Sequence, residues 1–142
     1  MSRHCLFCAI ASGAQDAAVV FQTEDCMALL DHRPLFPGHC LLIPRAHYET
    51  LAELPENLAA TLFDHARRLS SVIEDALRAE GSFVAINNRV SQSVPHVHIH
   101  VVPRRKGDGL RGFFWPRRKY ADATEMEQVR VALSESWSRK AL

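Results

Sequence analysis

The chain has 142 residues, enough for one domain with a hydrophobic core of its own. Hydrophobic residues make up 47% and charged residues 23%, as in soluble globular proteins, and no apolar run is long enough to span a membrane. The net charge of +1 gives no reason to expect a nucleic-acid partner. No hydrophobic signal segment opens the chain, which predicts a cytoplasmic location, where the four cysteines would be thiols or metal ligands and not disulfides.

The segment Cys5-Leu6-Phe7-Cys8 places two cysteines at Cys-x-x-Cys spacing. This spacing lets two thiolates bind one tetrahedral ion, so it predicts half of a zinc site; two small buried thiols are the alternative. A redox pair would need a preceding strand, for which the four residues before Cys5 leave little room. Cys26 and Cys40 stand singly among apolar neighbours, so further ligands would be histidines from later in the chain.

Apolar runs bounded by turn residues predict four short strands, at residues 19–22, 27–31, 38–44 and 82–87. Apolar side chains at spacings of three and four predict a long amphipathic helix at residues 55–79, ended by Gly81. A second helix is predicted at residues 124–140, with Thr124 and Glu127 as its capping box.

Residues 95–103 read Pro-His-Val-His-Ile-His-Val-Val-Pro and predict a further strand, because β-branched residues alternate with histidines between two prolines. In a strand His96, His98 and His100 share one face, and Val97, Ile99 and Val101 take the other. Three imidazoles on one face indicate a nucleophile, a proton donor or metal ligands. One metal ion bound by all three histidines is an alternative.

Polar and basic segments lie on either side of this strand. The loop at residues 88–93 carries amide and hydroxyl groups that can donate to phosphate oxygens. After the strand, the basic triplets at residues 104–106 and 117–119 flank aromatic residues 113–115. Such interleaving can indicate single-stranded nucleic acid, but in a nearly neutral chain it better fits a local rim that attracts a small phosphorylated ligand.

The run of residues 96–102, His-Val-His-Ile-His-Val-Val, resembles the signature of the histidine triad superfamily of nucleotide hydrolases and transferases. The run at residues 31–47 resembles the family's middle segment, and Gln92-Ser93-Val94 resembles the run before its triad. The resemblance covers about residues 5–109 of a single predicted domain, with residues 110–142 as a C-terminal extension. It implies an α+β fold, in which a five-stranded antiparallel sheet carries one long helix and continues across the two-fold axis of a homodimer.

The resemblance implies hydrolysis of a small nucleotide, generally of adenosine, at its α-phosphate through a covalent nucleotidyl-histidine. Phosphoramidates and dinucleoside polyphosphates are the expected substrates, with phosphate as a possible acceptor in place of water. His98 matches the nucleophile, and His100 and His39 match residues that set or stabilise charge around it. The matching substrate contacts are Leu30, Asp31, His32, Asn87 or Asn88, Gln92 and Ser93. A non-catalytic purine nucleotide-binding or sensing protein is the alternative.

Some bacterial members of the family bind structural zinc, and the matching residues here are Cys5, Cys8, His47 and His96. At the reacting phosphate no metal is expected to be required, because the chain offers no carboxylate cluster for magnesium. One departure is the segment 89–91, where Arg-Val-Ser replaces the glycines of relatives. Glycines there would let backbone N–H groups approach a phosphate closely.

Overall fold

A computed structural model describes residues 5–111 and 118–140. The chain divides into two compact units, Met1–Asp108 and Gly109–Leu142, which are described separately. The first unit contains α1 (Leu6–Ala11), β1 (Val19–Gln22), β2 (Cys26–Leu30), β3 (Cys40–Pro44), α2 (Glu56–Leu77), β4 (Gly81–Ala85) and β5 (Ile99–Arg104), and the second contains α3 (Ala123–Arg139). No helix within the described residues combines the length and apolar character that crossing a membrane requires.

The five strands form one antiparallel sheet in the order β1-β2-β3-β5-β4, which confirms the predicted α+β fold. One face of the sheet packs on α2 through Cys26, Ala28, Cys40, Leu42, Ile99 and Val101, which meet Leu62, Ala66, Leu69 and Ile73. The other face packs on α1 through Met27, Leu29, Leu41 and Ile43, which meet Cys5, Phe7, Cys8 and Ile10. Every residue of β3 is therefore buried.

The long helix was predicted correctly, but its end differs. Arg78 adopts the left-handed conformation at φ 53° and caps α2, whereas Gly81, the predicted stop, already belongs to β4. A non-glycine residue in this conformation costs about 1 kcal/mol. The strained residue lies where the chain turns from α2 into β4. Directly after this turn the Glu80 N–H donates to the Arg104 carbonyl, which begins the pairing with β5.

The histidine strand is shorter than predicted, because pairing begins at Ile99 and not at Pro95. The partner strand ends in Pro44, which has no N–H to donate to a ladder, and its carbonyl instead accepts from His96 Nε2 at 2.8 Å. The Val97 N–H donates to the carbonyl of Tyr48 at 2.7 Å, outside the sheet. The prediction of a regular strand was thus wrong for residues 95–98.

Two helix starts also differ from the prediction. The six-residue helix α1 was not predicted; Cys5 caps it, and the Cys5 Sγ accepts from the Cys8 N–H. In α3 the cap is Asp122, which accepts from the Glu125 N–H at 2.8 Å, while the Glu125 carboxylate accepts from the Ala121 N–H. The predicted Thr124 cap was wrong because the aspartate two residues earlier already supplies the acceptor.

Gly38, which directly precedes His39, is a position where a side chain should be poorly tolerated. Its φ is +97°, and an added Cβ would overlap Leu77 Cδ1 of α2. We expect Gly38→Ala to lower the free energy of unfolding by about 2 kcal/mol, through backbone strain and displacement of Leu77. Thermal denaturation measures this, with Gly81→Ala as control, because Gly81 has no positive φ and no atom within 4 Å of an added Cβ. Equal melting temperatures for the two variants would contradict the prediction.

Candidate active site and metal centre

The ring of His98 is held in one tautomer by the backbone. Its Nδ1 lies 2.7 Å from the carbonyl oxygen of His96. Because a carbonyl only accepts, Nδ1 carries the proton, and the neutral ring keeps a lone pair on Nε2. The side chain is buried, and burial lowers the pKa of His98, although the hydrogen bond to His96 opposes this. His98 is therefore a neutral imidazole whose Nε2 carries a lone pair.

His100 and His39 form a hydrogen-bonded pair whose proton order is also set by the backbone. The Leu35 N–H donates to His39 Nδ1 at 3.1 Å, so the proton of the neutral His39 ring is on Nε2. His39 Nε2 lies 2.9 Å from His100 Nδ1 and donates to it. The proton of His100 is then on its Nε2. The His98 and His100 rings are neighbours, with centroids 4.9 Å apart.

The register of the sheet explains why these rings lie together. His100 pairs with Leu41 across β5 and β3, and Leu41 belongs to the face covered by α1. Ile99 and Val101 point to the opposite face, as the alternation predicted, and there they pack under α2. His39 directly precedes β3 and is buried.

Burial keeps the pair His100 and His39 neutral. It is the main reason that the pKa of His100 falls to about 4, and repulsion from His98 and His39 adds to it. Burial also lowers the pKa of His39, although the Asp31 carboxylate opposes the shift. Asp31 Oδ2 lies 3.8 Å from His39 Nε2.

The lowered pKa of His100 predicts acid-sensitive stability. An unfolded histidine has a pKa of about 6.5. Since the folded ring stays neutral down to about pH 4, its contribution is complete above pH 6.5 and is lost as pH falls from 6.5 toward 4. We expect the loss of unfolding free energy between pH 7 and pH 5 to be smaller in His100→Asn by about 1–2 kcal/mol. Urea denaturation measures it, with His65→Asn as control; equal pH dependence in the two variants would contradict it.

A second cluster brings together the two cysteines of the Cys-x-x-Cys segment and two histidines. The ligand atoms of Cys5, Cys8, His47 and His96 all lie within 4.8 Å of one another. His96 Nδ1 is 3.4 Å from Cys5 Sγ and 3.6 Å from Cys8 Sγ, and His47 Nδ1 is 3.3 Å from Cys8 Sγ.

This geometry fits a tetrahedral zinc ion. With Zn–S of about 2.3 Å and Zn–N of about 2.05 Å, a sulfur and a nitrogen ligand lie about 3.6 Å apart, close to the separations found here. His96 Nε2 donates to the Pro44 carbonyl at 2.8 Å, which leaves Nδ1 as the ligand atom. Burial lowers the pKa of His96 to about 4, so the ring is neutral and can ligate. The donor set is therefore suited to zinc.

The alternative of one metal bound by all three triad histidines is wrong for the described residues. His96 groups with the cysteines, whereas His100 groups with Asp31 and His39. This second group is also unsuited to a metal, because the Leu35 N–H leaves the His39 Nε2 protonated. We interpret it as a chain of hydrogen bonds.

The loop before the triad is tied to the segment that follows His47. Asn88 Oδ1 accepts from the Leu51 N–H at 2.8 Å, and Gln92 Nε2 donates to the Glu49 carbonyl at 2.6 Å. The side chains of Asn87 and Ser93 make no hydrogen bond with the described residues. Their roles toward phosphate, and those of Asn88 and Gln92, stay predictions.

The same loop shows why glycines would suit it. Arg89 and Ser91 adopt positive φ values of 65° and 60°, a region that favours glycine. Gln92 Oε1 accepts from the Arg89 N–H at 2.7 Å and holds this conformation. Although this chain has Arg-Val-Ser where relatives have glycines, Arg89 and Ser91 still adopt the left-handed backbone conformation that glycine favours.

The remaining predicted contacts lie where β2 ends. Leu30 is 42% exposed and the His32 side chain 81% exposed, and Asp31 Oδ1 accepts from the Arg33 N–H at 2.9 Å. One residue of the basic rim predicted to attract a phosphorylated ligand is already paired within the protein. Arg104 forms two hydrogen bonds with the Asp108 carboxylate. Residues 113–115 and Arg117 lie outside the described residues.

Sequence reasoning missed three contributors to the site. Phe7 contacts the rings of both His96 and His98, while Pro44 and Leu35 act through backbone groups. A contact made through a backbone N–H or carbonyl cannot be predicted from the type of residue, because every residue other than proline carries both groups. Phe7 was visible as an aromatic residue inside the Cys-x-x-Cys segment.

Comparison with known proteins gives the family. The model of the HIT domain matches residues 12–107, which include the triad, His39 and His47. The chain belongs to the HIT family. An uncharacterized HIT-like protein of Saccharolobus solfataricus is 34% identical over 135 residues, 93% of this HIT chain and 96% of that protein.

Two further relatives carry enzyme names. The Arabidopsis thaliana adenylylsulfatase HINT3 is 32% identical over 112 residues, 78% of this HIT chain and 57% of that protein. A Schizosaccharomyces pombe bis(5'-nucleosyl)-tetraphosphatase (asymmetrical) is 36% identical over 92 residues, 63% of this chain and 50% of that protein. The chain thus spans 57% of the length of the plant protein and 50% of the length of the yeast protein.

Solved structures of HIT proteins share the fold. A HIT family member from Bacillus subtilis superposes with a TM-score of 0.85 at 28% identity, covering 94% of this chain and 96% of that one. A zinc-bound histidine triad family protein from Mycobacterium smegmatis has a TM-score of 0.74 at 35% identity, covering 99% of this chain and 100% of that one.

Proposed function

We propose that this HIT protein hydrolyses an adenosine nucleotide at its α-phosphate, with His98 as the nucleophile. The observation that carries the proposal is the 2.7 Å hydrogen bond from His98 Nδ1–H to the His96 carbonyl, which leaves a lone pair on Nε2. A nucleophilic imidazole needs this combination of a fixed N–H and a free ring nitrogen. The names of the plant and yeast relatives support an adenylyl or dinucleoside polyphosphate compound as the substrate.

The reaction proceeds in two displacements. The lone pair of His98 Nε2 attacks the α-phosphorus; an N–P bond forms, the P–N or P–O bond to the leaving group breaks, and the leaving group takes the electron pair of that bond and a proton from solvent. Water then attacks phosphorus and gives one proton to solvent, the N–P bond breaks with its electron pair returning to Nε2, and the nucleoside monophosphate leaves. His98 regains its lone pair, ready for another cycle.

Neighbouring imidazoles stabilise the charge that develops on phosphate. His100 carries its proton on Nε2, because His39 Nε2–H donates to His100 Nδ1. A preorganised N–H donor beside the reacting phosphate stabilises the transition state more than the ground state. The charge of Asp31, 3.8 Å from His39, favours the proton on the His39 ring. This arrangement needs no metal at phosphorus.

The surroundings fit a nucleoside. We assign the ribose hydroxyls to Asp31, whose side chain keeps 18% exposure, and the base to the exposed side chains of Leu30 and His32. Asn87 and Ser93 would hold the phosphate oxygens, because the side chains of Asn88 and Gln92 are already hydrogen-bonded to the backbone of Leu51 and Glu49.

We also propose that Cys5, Cys8, His47 and His96 bind a structural zinc ion. The sulfur–nitrogen separations of 3.3–3.6 Å and the zinc-bound mycobacterial relative support it. When bound, zinc would join α1 to the start of the triad, and all four ligand positions would be filled by protein.

The function is tested by trapping the covalent intermediate. The protein is mixed with adenosine 5'-phosphoramidate or diadenosine tetraphosphate, quenched in base, and digested for mass spectrometry. We expect an adenylyl adduct on the peptide that contains His98, and release of AMP in the steady state. Bound nucleotide with neither adduct nor AMP would favour the sensing alternative.

The oligomeric state is a separate proposal. The sheet ends in β4, where Val84 is 42% exposed, and a second copy could continue it across a two-fold axis. Light scattering should give a dimer mass; a stable monomer would contradict the proposal. A cytoplasmic location stays a prediction.

A further inference from the structure

Phe7 lies between the two cysteines of the proposed zinc site and is 3% exposed. Its ring stands nearly perpendicular to two imidazoles. The centroid distance is 5.7 Å to His96, at 87°, and 5.1 Å to His98, at 74°. Phe7 therefore touches a proposed zinc ligand and the proposed nucleophile at once.

The place of Phe7 depends on the cysteines around it. Its helix α1 has six residues, too few to be stable without tertiary contacts. Cys5 caps the helix, and its Sγ accepts from the Cys8 N–H at 3.5 Å. The phenyl ring is therefore placed by the same two residues that would hold the metal.

The His98 ring is held at Nδ1 but needs a second restraint. The hydrogen bond to the His96 carbonyl fixes one atom, around which the ring plane can still tilt. Phe7 contacts this ring, and so does His100 at a centroid distance of 4.9 Å. Edge-to-face contacts between aromatic rings favour one relative orientation.

We propose that Phe7 is a positioning residue that fixes the orientation of the His98 ring and thereby couples it to the Cys-x-x-Cys segment. The proposal rests on the proposed function, in that His98 is taken as the nucleophile. Phe7 contacts no reacting atom in this scheme. Its effect on catalysis is to keep His98 Nε2 aligned with phosphorus.

Phe7→Leu removes the aromatic edge and keeps an apolar side chain. We expect kcat to fall about 10-fold, because small misplacements of a reacting group are costly, with KM unchanged within about twofold. Zinc content should stay at the wild-type level. The matched control is Ile10→Ala, in the same helix and hydrophobic cluster, which should lose stability but keep kcat.

A second measurement does not depend on turnover. In ¹⁵N-labelled protein, the His98 imidazole should give one tautomer with a protected Nδ1–H, and Phe7→Leu should broaden or mix that signal while Ile10→Ala leaves it unchanged. If wild-type protein shows no hydrolysis but the spectra behave in this way, the proposed function fails, whereas the contact by which Phe7 orients the His98 ring stands. Unchanged kcat and spectra in Phe7→Leu would overturn it, as would a loss of zinc that accounts for the loss of kcat.

Discussion

Replacing His98 with asparagine should abolish hydrolysis of an adenylate substrate, lowering kcat by at least about 10³-fold. The asparagine amide can still donate to the His96 carbonyl, so the backbone hydrogen bond of 2.7 Å has a replacement donor. The amide has no lone pair on nitrogen that could attack phosphorus. Steady-state release of AMP measures the effect, and the adenylyl adduct should disappear with it.

The matched control is His65→Asn on α2. His65 packs against Phe21, with ring centroids 5.4 Å apart, and lies outside the triad cluster. We expect wild-type kcat from this variant. Nucleotide binding to His98→Asn, measured by calorimetry, should persist, because the predicted base, ribose and phosphate contacts are retained. Hydrolysis that survives in His98→Asn would show that the nucleophile is another residue.

Replacing Cys8 with serine should remove zinc and much of the stability of the first unit. Cys8 Sγ lies within 3.6 Å of both His47 Nδ1 and His96 Nδ1, so its loss opens the ligand set. With free zinc about 1,000 times above Kd, binding contributes about 4 kcal/mol, or a melting-temperature shift of about 8–16 °C. Metal analysis and thermal denaturation measure the two effects.

The control for this prediction is Cys26→Ala. Cys26 is fully buried in the other core, against α2, and burial raises the pKa of its thiol to about 11. This variant should lose stability through a small cavity but keep its zinc. A chelator should lower the melting temperature of Cys26→Ala and leave Cys8→Ser unchanged. Full zinc content in Cys8→Ser would refute the ligand set.

Patterns local in sequence predicted most of the sheet and α2. Alternation alone placed Ile99 and Val101 on one face and His100 on the other, which the pairing of His100 with Leu41 confirms; that the first face packs on α2 came from the structure. The beginning of β5 was not predictable in this way. It depends on Pro44, 52 residues before His96, whose carbonyl accepts from the histidine ring.

The same limit applies to the site. The Cys-x-x-Cys spacing and the resemblance together named the four residues that the structure brings within 4.8 Å. A histidine nucleophile was expected to have its second N–H held by an acceptor such as a backbone carbonyl, but the backbone partners that fix the protons of His98 and His39, at His96 and Leu35, could not be named before the fold was known. The helix α1 is too short for a periodic pattern, and so the position of Phe7 followed only from the fold.

The distance along the chain between the proposed zinc ligands has a thermodynamic consequence. Cys5 and His96 are 91 residues apart, so an ion that joins them closes most of the first unit into a loop. By analogy with a disulfide, holding both residues at one ion would cost the unfolded chain an entropy equivalent to about 4–5 kcal/mol, so the ion binds all four ligands in the folded chain and is released on unfolding. All four ligands are present only once residue 96 has been synthesised, so a nascent chain that ends before the triad could hold the ion with the two cysteines and His47 alone.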